Sequence, residues 1–188
     1  MSRHLLAEKS VCVQISANAA TGISVMTAQC DIEFRKAERE DADAVGHLVR
    51  NAYARWVNVI GREPRPMAAD YLRAVQEHDV ELLIVKGEFV GVIETIRHLD
   101  HLWIENVAVA PHRQGQGWGR QLLVFADRKA VGLGCHEIRL LTNEAFATNV
   151  ALYERSGYRM DKKEPLELGG IVVYMSKPLH SSSHLYQS

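Results

Sequence analysis

Apolar and polar positions along the chain switch repeatedly between a period of two and a period near 3.6. Residues 31–37 have strand character. From 40 to 55, Ala44, Val45, Leu48, Val49 and Ala52 recur at helical spacing. Asp41 and Asp43 fall in the first turn, where the helix dipole favours acids. Pro64 and Pro66 make 62–67 a loop, and a second helix is predicted over 68–76. Strands follow at 81–85 and 89–97, joined by a Lys86-Gly87-Glu88 hairpin turn. Leu99-Asp100-His101 turns the chain again into a strand at 102–109, which Pro111 ends. A glycine-rich stretch, 115–119, opens a helix to about 131, stopped by Gly132 and Gly134. A strand at 136–141, a helix at 145–156 closed by Gly157, and strands at 158–162 and 171–175 complete the series.

The order β-α-α-β-β-β-α-β-α-β-β defines an α/β protein with a mixed sheet and helices on its faces, not an all-parallel repeat. Residues 1–30 are small, polar and weakly patterned, and carry no signal-peptide core. They are expected to form a disordered arm, or to precede a true start at Met26. The segment 180–188 is expected to be a disordered tail, which leaves 31–179 as the domain.

Composition narrows the possibilities. The 188 residues are 47% hydrophobic and 24% charged, as expected for one soluble domain. Lys plus Arg is 22 against 23 for Asp plus Glu, so the net charge of −1 argues against a broadly basic nucleic-acid binder. No apolar run approaches the roughly 20 residues of a membrane span. Cys12, Cys30 and Cys135 are odd in number and scattered, which predicts free thiols and a cytoplasmic setting. His98 and His101 stand three apart without a third ligand nearby, so no metal is expected. Neither nucleic acid nor membrane is expected as a partner, and the protein is expected to be a monomer or homodimer.

The chemistry concentrates in Val107-Ala-Val-Ala-Pro-His-Arg-Gln-Gly-Gln-Gly-Trp-Gly-Arg120. This is a strand, a glycine-spaced turn and a helix N-terminus. Glycine permits positive φ and close ligand approach. The first N–H groups of a helix lack internal partners and suit a phosphate. Arg113 and Arg120 add positive charge nearby. A Walker A loop would need Gly-Lys-Ser/Thr, which is absent. A dinucleotide fingerprint would need G-x-G-x-x-G and an acid after the next strand. Here the spacing is G-x-G-x-G, and Thr142 and Asn143 stand there.

Gln114-x-x-Gly117-x-Gly119 resembles the Q/R-x-x-G-x-G/A motif of the Gcn5-related N-acetyltransferases, the GNAT superfamily, in its small bacterial-type form. The strand 104–111 before it and the segment from Leu141 to Tyr158 are also similar to that family, with Asn149, Tyr153, Gly157 and Tyr158 in place. The resemblance covers about 32–179. It implies an acyl-CoA N-acyltransferase fold: a central, mostly antiparallel mixed sheet with one splayed parallel pair. It further implies an acetyl-CoA-dependent N-acetyltransferase, cytoplasmic and metal-free, acting on a primary amine of a small molecule or peptide. A non-catalytic acyl-CoA-binding or regulatory module is the alternative.

By the same resemblance, Gln114, Gly115, Gln116, Gly117, Trp118, Gly119 and Arg120 hold the pyrophosphate. Val107, Ala108 and Val109 pair with the pantetheine arm, which Asn149 also contacts. Tyr153 lies near the thioester sulfur as a proton or hydrogen-bond donor. An amine must be neutral to attack, so a base is needed. Glu105 is the first candidate and Glu94 the second, with a water relay as a further option. An N–H at Val109 would stabilise the oxyanion. The acceptor pocket is expected from the first two helices and their loop: Tyr53, Trp56, Arg62, Pro64, Met67, Asp70 and Tyr71. Aromatics with an acid suit a cationic amine.

Overall fold

The computed structural model describes residues 31–167 and 169–179. The expected N-terminal arm and C-terminal tail lie outside the described residues. Strand β1 (Ile32–Lys36) leads through a short turn of 3-10 helix to α1 (Ala42–Ile60) and α2 (Tyr71–Glu77). The chain continues through β2 (Asp79–Val85), β3 (Glu88–Arg97), β4 (His101–Val109), α3 (Trp118–Gly132), β5 (Glu137–Asn143), α4 (Ala147–Arg155), β6 (Arg159–Pro165) and β7 (Ile171–Pro178). The predicted order holds throughout. Helix α1 runs to Ile60 rather than to 55, where Gly61 ends it at φ 69°. The loop predicted at 62–67 contains a 3-10 turn, Arg65–Ala68.

All seven strands join one sheet in the order β1-β2-β3-β4-β5-β7-β6. Every pairing is antiparallel except β4 with β5. Helices α1 and α2 cover one face, where Val45 and Val49 pack with Leu82, Val92 and Ala108. Helix α3 covers the other, where Leu122 and Ala126 pack with Leu83, Ile93, Ile138 and Met175. This explains why β2 reads as a nearly continuous apolar run: both of its faces are buried. Strand β6, by contrast, is polar and almost fully exposed along one edge of the sheet. Lys86 and Gly87 both adopt positive φ, 51° and 79°, and make the tight β2–β3 hairpin. Among the described residues, no helix is long and apolar enough to cross a membrane, and Cys135 is a buried free thiol.

Candidate active site

Strands β4 and β5 pair only from His101–Glu137 to Ile104–Leu140. Beyond that point they part. On the other side of β4, Glu94 pairs with Asn106 and Thr95 with Ile104, so Glu105 is the extra residue of a β-bulge. A bulge bends the strand and turns its side chains. Leu102 and Ile104 face the α3 core, whereas Ala108 faces the α1 core. The N–H of Ala110 donates to Val90 O at 2.8 Å. Backbone direction alternates along antiparallel strands. Val107 and Val109 therefore turn their backbone groups away from β3, into the gap opened by the splay.

A groove of about 510 Å³ occupies this gap and runs to the start of α3. Val107, Ala108, Val109, Gln114, Gly115, Gly117, Trp118, Gly119, Arg120, Asn149 and Tyr153 all line it. Gly115 and Gly117 hold φ of 76° and 87°. Gly117 is the N-cap of α3, and no side chain caps that helix. Its first N–H groups therefore open onto the groove as a ready anion site. Gly119 serves packing: a Cβ there would lie 3.0 Å from Leu152 Cδ2 on α4.

Two side chains of this loop do other work. The Gln116 side chain lies outside the groove's lining, donating to His112 O at 3.2 Å and accepting from Trp118 Nε1 at 3.3 Å. Arg113 lines the groove but is paired with Glu88, which also lies 2.6 Å from His112 Nε2. These two partners hold the Glu88 carboxyl down at about 2. Arg113 is thus largely neutralised, and its expected contribution to a positive field is corrected to that of a loop anchor. Gln114 fixes the loop to β4 by donating to Val109 O at 3.0 Å.

The sequence reading missed Arg55, Thr148 and Arg155, which also line the groove. Arg55 donates to Gln114 Oε1 at 3.1 Å and Thr148 Oγ1 at 2.5 Å, and stacks 4.3 Å over the Trp56 ring. Helical periodicity marks Arg55 only as a polar position; that the glycine loop returns beside it is a tertiary fact.

A second cavity, about 640 Å³, lies on the far side of the splay. Tyr53, Val107 and Tyr153 line both spaces, so the two meet there. Glu105, Arg62 and Pro64 line the second cavity. Glu105 accepts from Trp103 Nε1 at 2.8 Å, which fixes its carboxylate. Tyr53 donates to Asn106 Oδ1 at 2.9 Å, Asn106 donates to Tyr71 Oη at 3.2 Å, and Tyr71 donates to Pro66 O at 2.7 Å. Tyr71 thus ties the 62–67 loop to β4 from beneath rather than lining the cavity. Leu166, Glu167 and Tyr174, from the β6–β7 hairpin, close the opposite wall. No local motif announced them.

Four expectations need correction in place. Glu94 lines neither cavity; it is buried on the α1/α2 face, 2.5 Å from His78 Nδ1. Burial raises its pKa, against the opposing pull of His78. Asp70 is the N-cap of α2, accepting from the Arg73 N–H at 3.1 Å, and lies outside both cavities. Trp56 lines the first groove, not the second cavity, stacked on Phe146 with ring centroids 4.6 Å apart. Met67 packs against the α1/α2 core. Tyr153 is buried at the junction, and desolvation pushes its pKa up to about 12.

The sheet, its splayed parallel pair and the uncapped glycine turn at α3 define an acetyltransferase fold. The sequence model described as "Acetyltransferase (GNAT) family" matches residues 47–158, and the chain belongs to that family. No curated protein matches it significantly. Among solved structures, the ribosomal-protein-S18-alanine N-acetyltransferase from Escherichia coli is similar at 22% identity and TM-score 0.66, covering 83% of this chain and 99% of that one. The PaiA N-acetyltransferase from Thermoplasma acidophilum, in complex with coenzyme A, is similar at 16% identity and TM-score 0.67, covering 78% and 98%. A GNAT family acetyltransferase from Elizabethkingia anophelis with acetyl-CoA bound is similar at 16% identity and TM-score 0.64, covering 80% and 99%.

Proposed function

We propose that the protein transfers an acetyl group from acetyl-CoA to a primary amine by direct attack in a ternary complex. The observation that carries this reading is the meeting of two spaces at Tyr53, Val107 and Tyr153. One space suits a pyrophosphate and an extended arm; the other suits an acceptor. A module that only bound acyl-CoA would need the first and not the second. Two structural neighbours hold acetyl-CoA or coenzyme A, and one is named for an alanine acceptor, which supports the same assignment.

The α3 N-terminus holds the pyrophosphate through backbone N–H groups, and Val107 and Val109 hydrogen-bond the pantetheine arm as an added strand would. The thioester carbonyl then lies at the splay, where the N–H of Val107, at the junction of the two spaces, stabilises the developing oxyanion in place of Val109, which lines only the first groove. The amine nitrogen attacks the carbonyl carbon. The N–C bond forms, the C–S bond breaks, and the thiolate departs. Glu105 accepts the proton lost by the amine. It is preferred to Glu94 because it lines the acceptor cavity. Tyr153 faces the thiolate. Burial holds the phenol's pKa above that of a thiol, so full proton transfer from it to the thiolate is uphill. Tyr153 therefore acts as a hydrogen-bond donor, and solvent completes protonation of the sulfur. Holding both reactants in place supplies much of the acceleration.

The test is the pH–rate profile of the wild type and Glu105→Gln. The variant should lose activity near neutral pH and recover part of it at high pH, where free amine is abundant. Superimposable profiles would remove Glu105 as the base.

A further inference from the structure

The acceptor cavity holds a cation that the proposed chemistry does not use. Gly61 closes α1 in the left-handed conformation, φ 69°, and turns the chain so that Arg62 enters the cavity wall. Arg62 is half-buried. Its Nε is buried and has no hydrogen-bond partner among the described residues. That atom is closed to the cavity as well as to water, so a ligand there would meet the rest of the Arg62 side chain, which lines the wall and makes no ion pair among the described residues. Guanidinium presents paired N–H groups that match a carboxylate, and it does so far better than it matches a neutral group. The remaining charges on this wall, Glu63, Arg65 and Glu167, are exposed and face water. The opposite charge, Glu105, stands at the splay beside Tyr153 and Val107, where the amine must react.

Resting on the acetyltransferase reading, we propose that the acceptor is a small amine that also carries a carboxylate, an amino acid or amino-acid derivative, and that Arg62 receives the carboxylate. The amine end then faces Glu105 and the acyl carbonyl, while the cavity accommodates the side chain between them. An acceptor bearing only amines would place cation beside cation at Arg62.

The experiment compares matched pairs, each amino acid against its carboxamide and its decarboxylated amine, with wild type, Arg62→Gln and Arg62→Lys. For the preferred pair the wild type should favour the acid by at least about tenfold in kcat/KM, the scale of a lost charge-assisted hydrogen bond. Arg62→Gln should shrink that ratio below about threefold, chiefly through a higher KM for the acid, and Arg62→Lys should keep part of it. Thermal shift of the coenzyme A-loaded protein reads binding without turnover. The acid should stabilise it and the amide should not, and Arg62→Gln should abolish the difference. Equal use or equal stabilisation by acid and amide, or no stabilisation by either, overturns the proposal. Acid-selective stabilisation without any acetylation supports the Arg62 assignment and sinks the proposed reaction instead.

Discussion

Replacing Gly117 by alanine separates the anion site from the fold that presents it. Gly117 holds φ of 87° and Gly134, past the other end of α3, holds 72°. A Cβ at either position meets no atom within 4 Å. Contact therefore contributes nothing in either case, and each substitution costs only the strain of a left-handed L residue, about 1–2 kcal/mol. In a domain of this size that lowers Tm by about 2–8 °C. The two glycines differ in place: Gly117 lines the groove and caps the helix, while Gly134 lies beyond a helix of 15 residues, about 22 Å long. Gly117→Ala should therefore also tilt the open N–H groups and crowd the phosphate. If acetyl-CoA binds tenfold more weakly, ligand stabilisation at high concentration falls by about 1.4 kcal/mol, or roughly 3–6 °C of thermal shift. Gly134→Ala should keep the full shift. The assay is an acetyl-CoA titration followed by thermal melting of both variants. Equal ligand shifts in the two would refute the claim that the α3 turn holds the cofactor.

Other outcomes follow from the same geometry. Tyr153→Phe should lower kcat by about tenfold or more while changing KM for acetyl-CoA little, since its hydroxyl is needed only as the sulfur departs; steady-state kinetics reads the split. Asn106→Ala should cost about 2–4 kcal/mol in denaturant unfolding, because it leaves Tyr53 and Tyr71 without their buried partner. Asp41 is bonded by Arg35 and by the Glu38 N–H, which hold its folded pKa below the ordinary 3.8. Its contribution is present above pH 3.8 and is lost as pH falls through the lower folded value. Asp41→Asn should therefore destabilise at neutral pH and flatten the loss of stability in acid, as followed by pH-dependent melting.

Much of the fold is legible because its signals are local. Lys86-Gly87 marks a hairpin, Gly117 a helix start and Gly157 a helix end, and each depends only on backbone sterics at that residue. Helix α1 outruns its predicted end because Trp56 and Ile60 continue the apolar stripe into the core up to Gly61. The groove residues were readable for the same reason: loop and strand are contiguous in sequence. The acceptor side was not. The bulge at Glu105 depends on register with β3, so the sequence could not say that Glu105 and Glu94 would part company. Asp70 illustrates local chemistry prevailing: an acid just before a helix caps it before it can serve a ligand. Arg55 and the wall from the β6–β7 hairpin come from distant segments, which no periodicity connects.

The most direct test is amine-dependent release of coenzyme A thiol from acetyl-CoA, with the acetylated amine identified by mass spectrometry. Thiol release that rises with amine, in step with acetylated product, is the predicted result. Saturable acetyl-CoA binding with no amine across the panel raising thiol release above the hydrolytic background would contradict it.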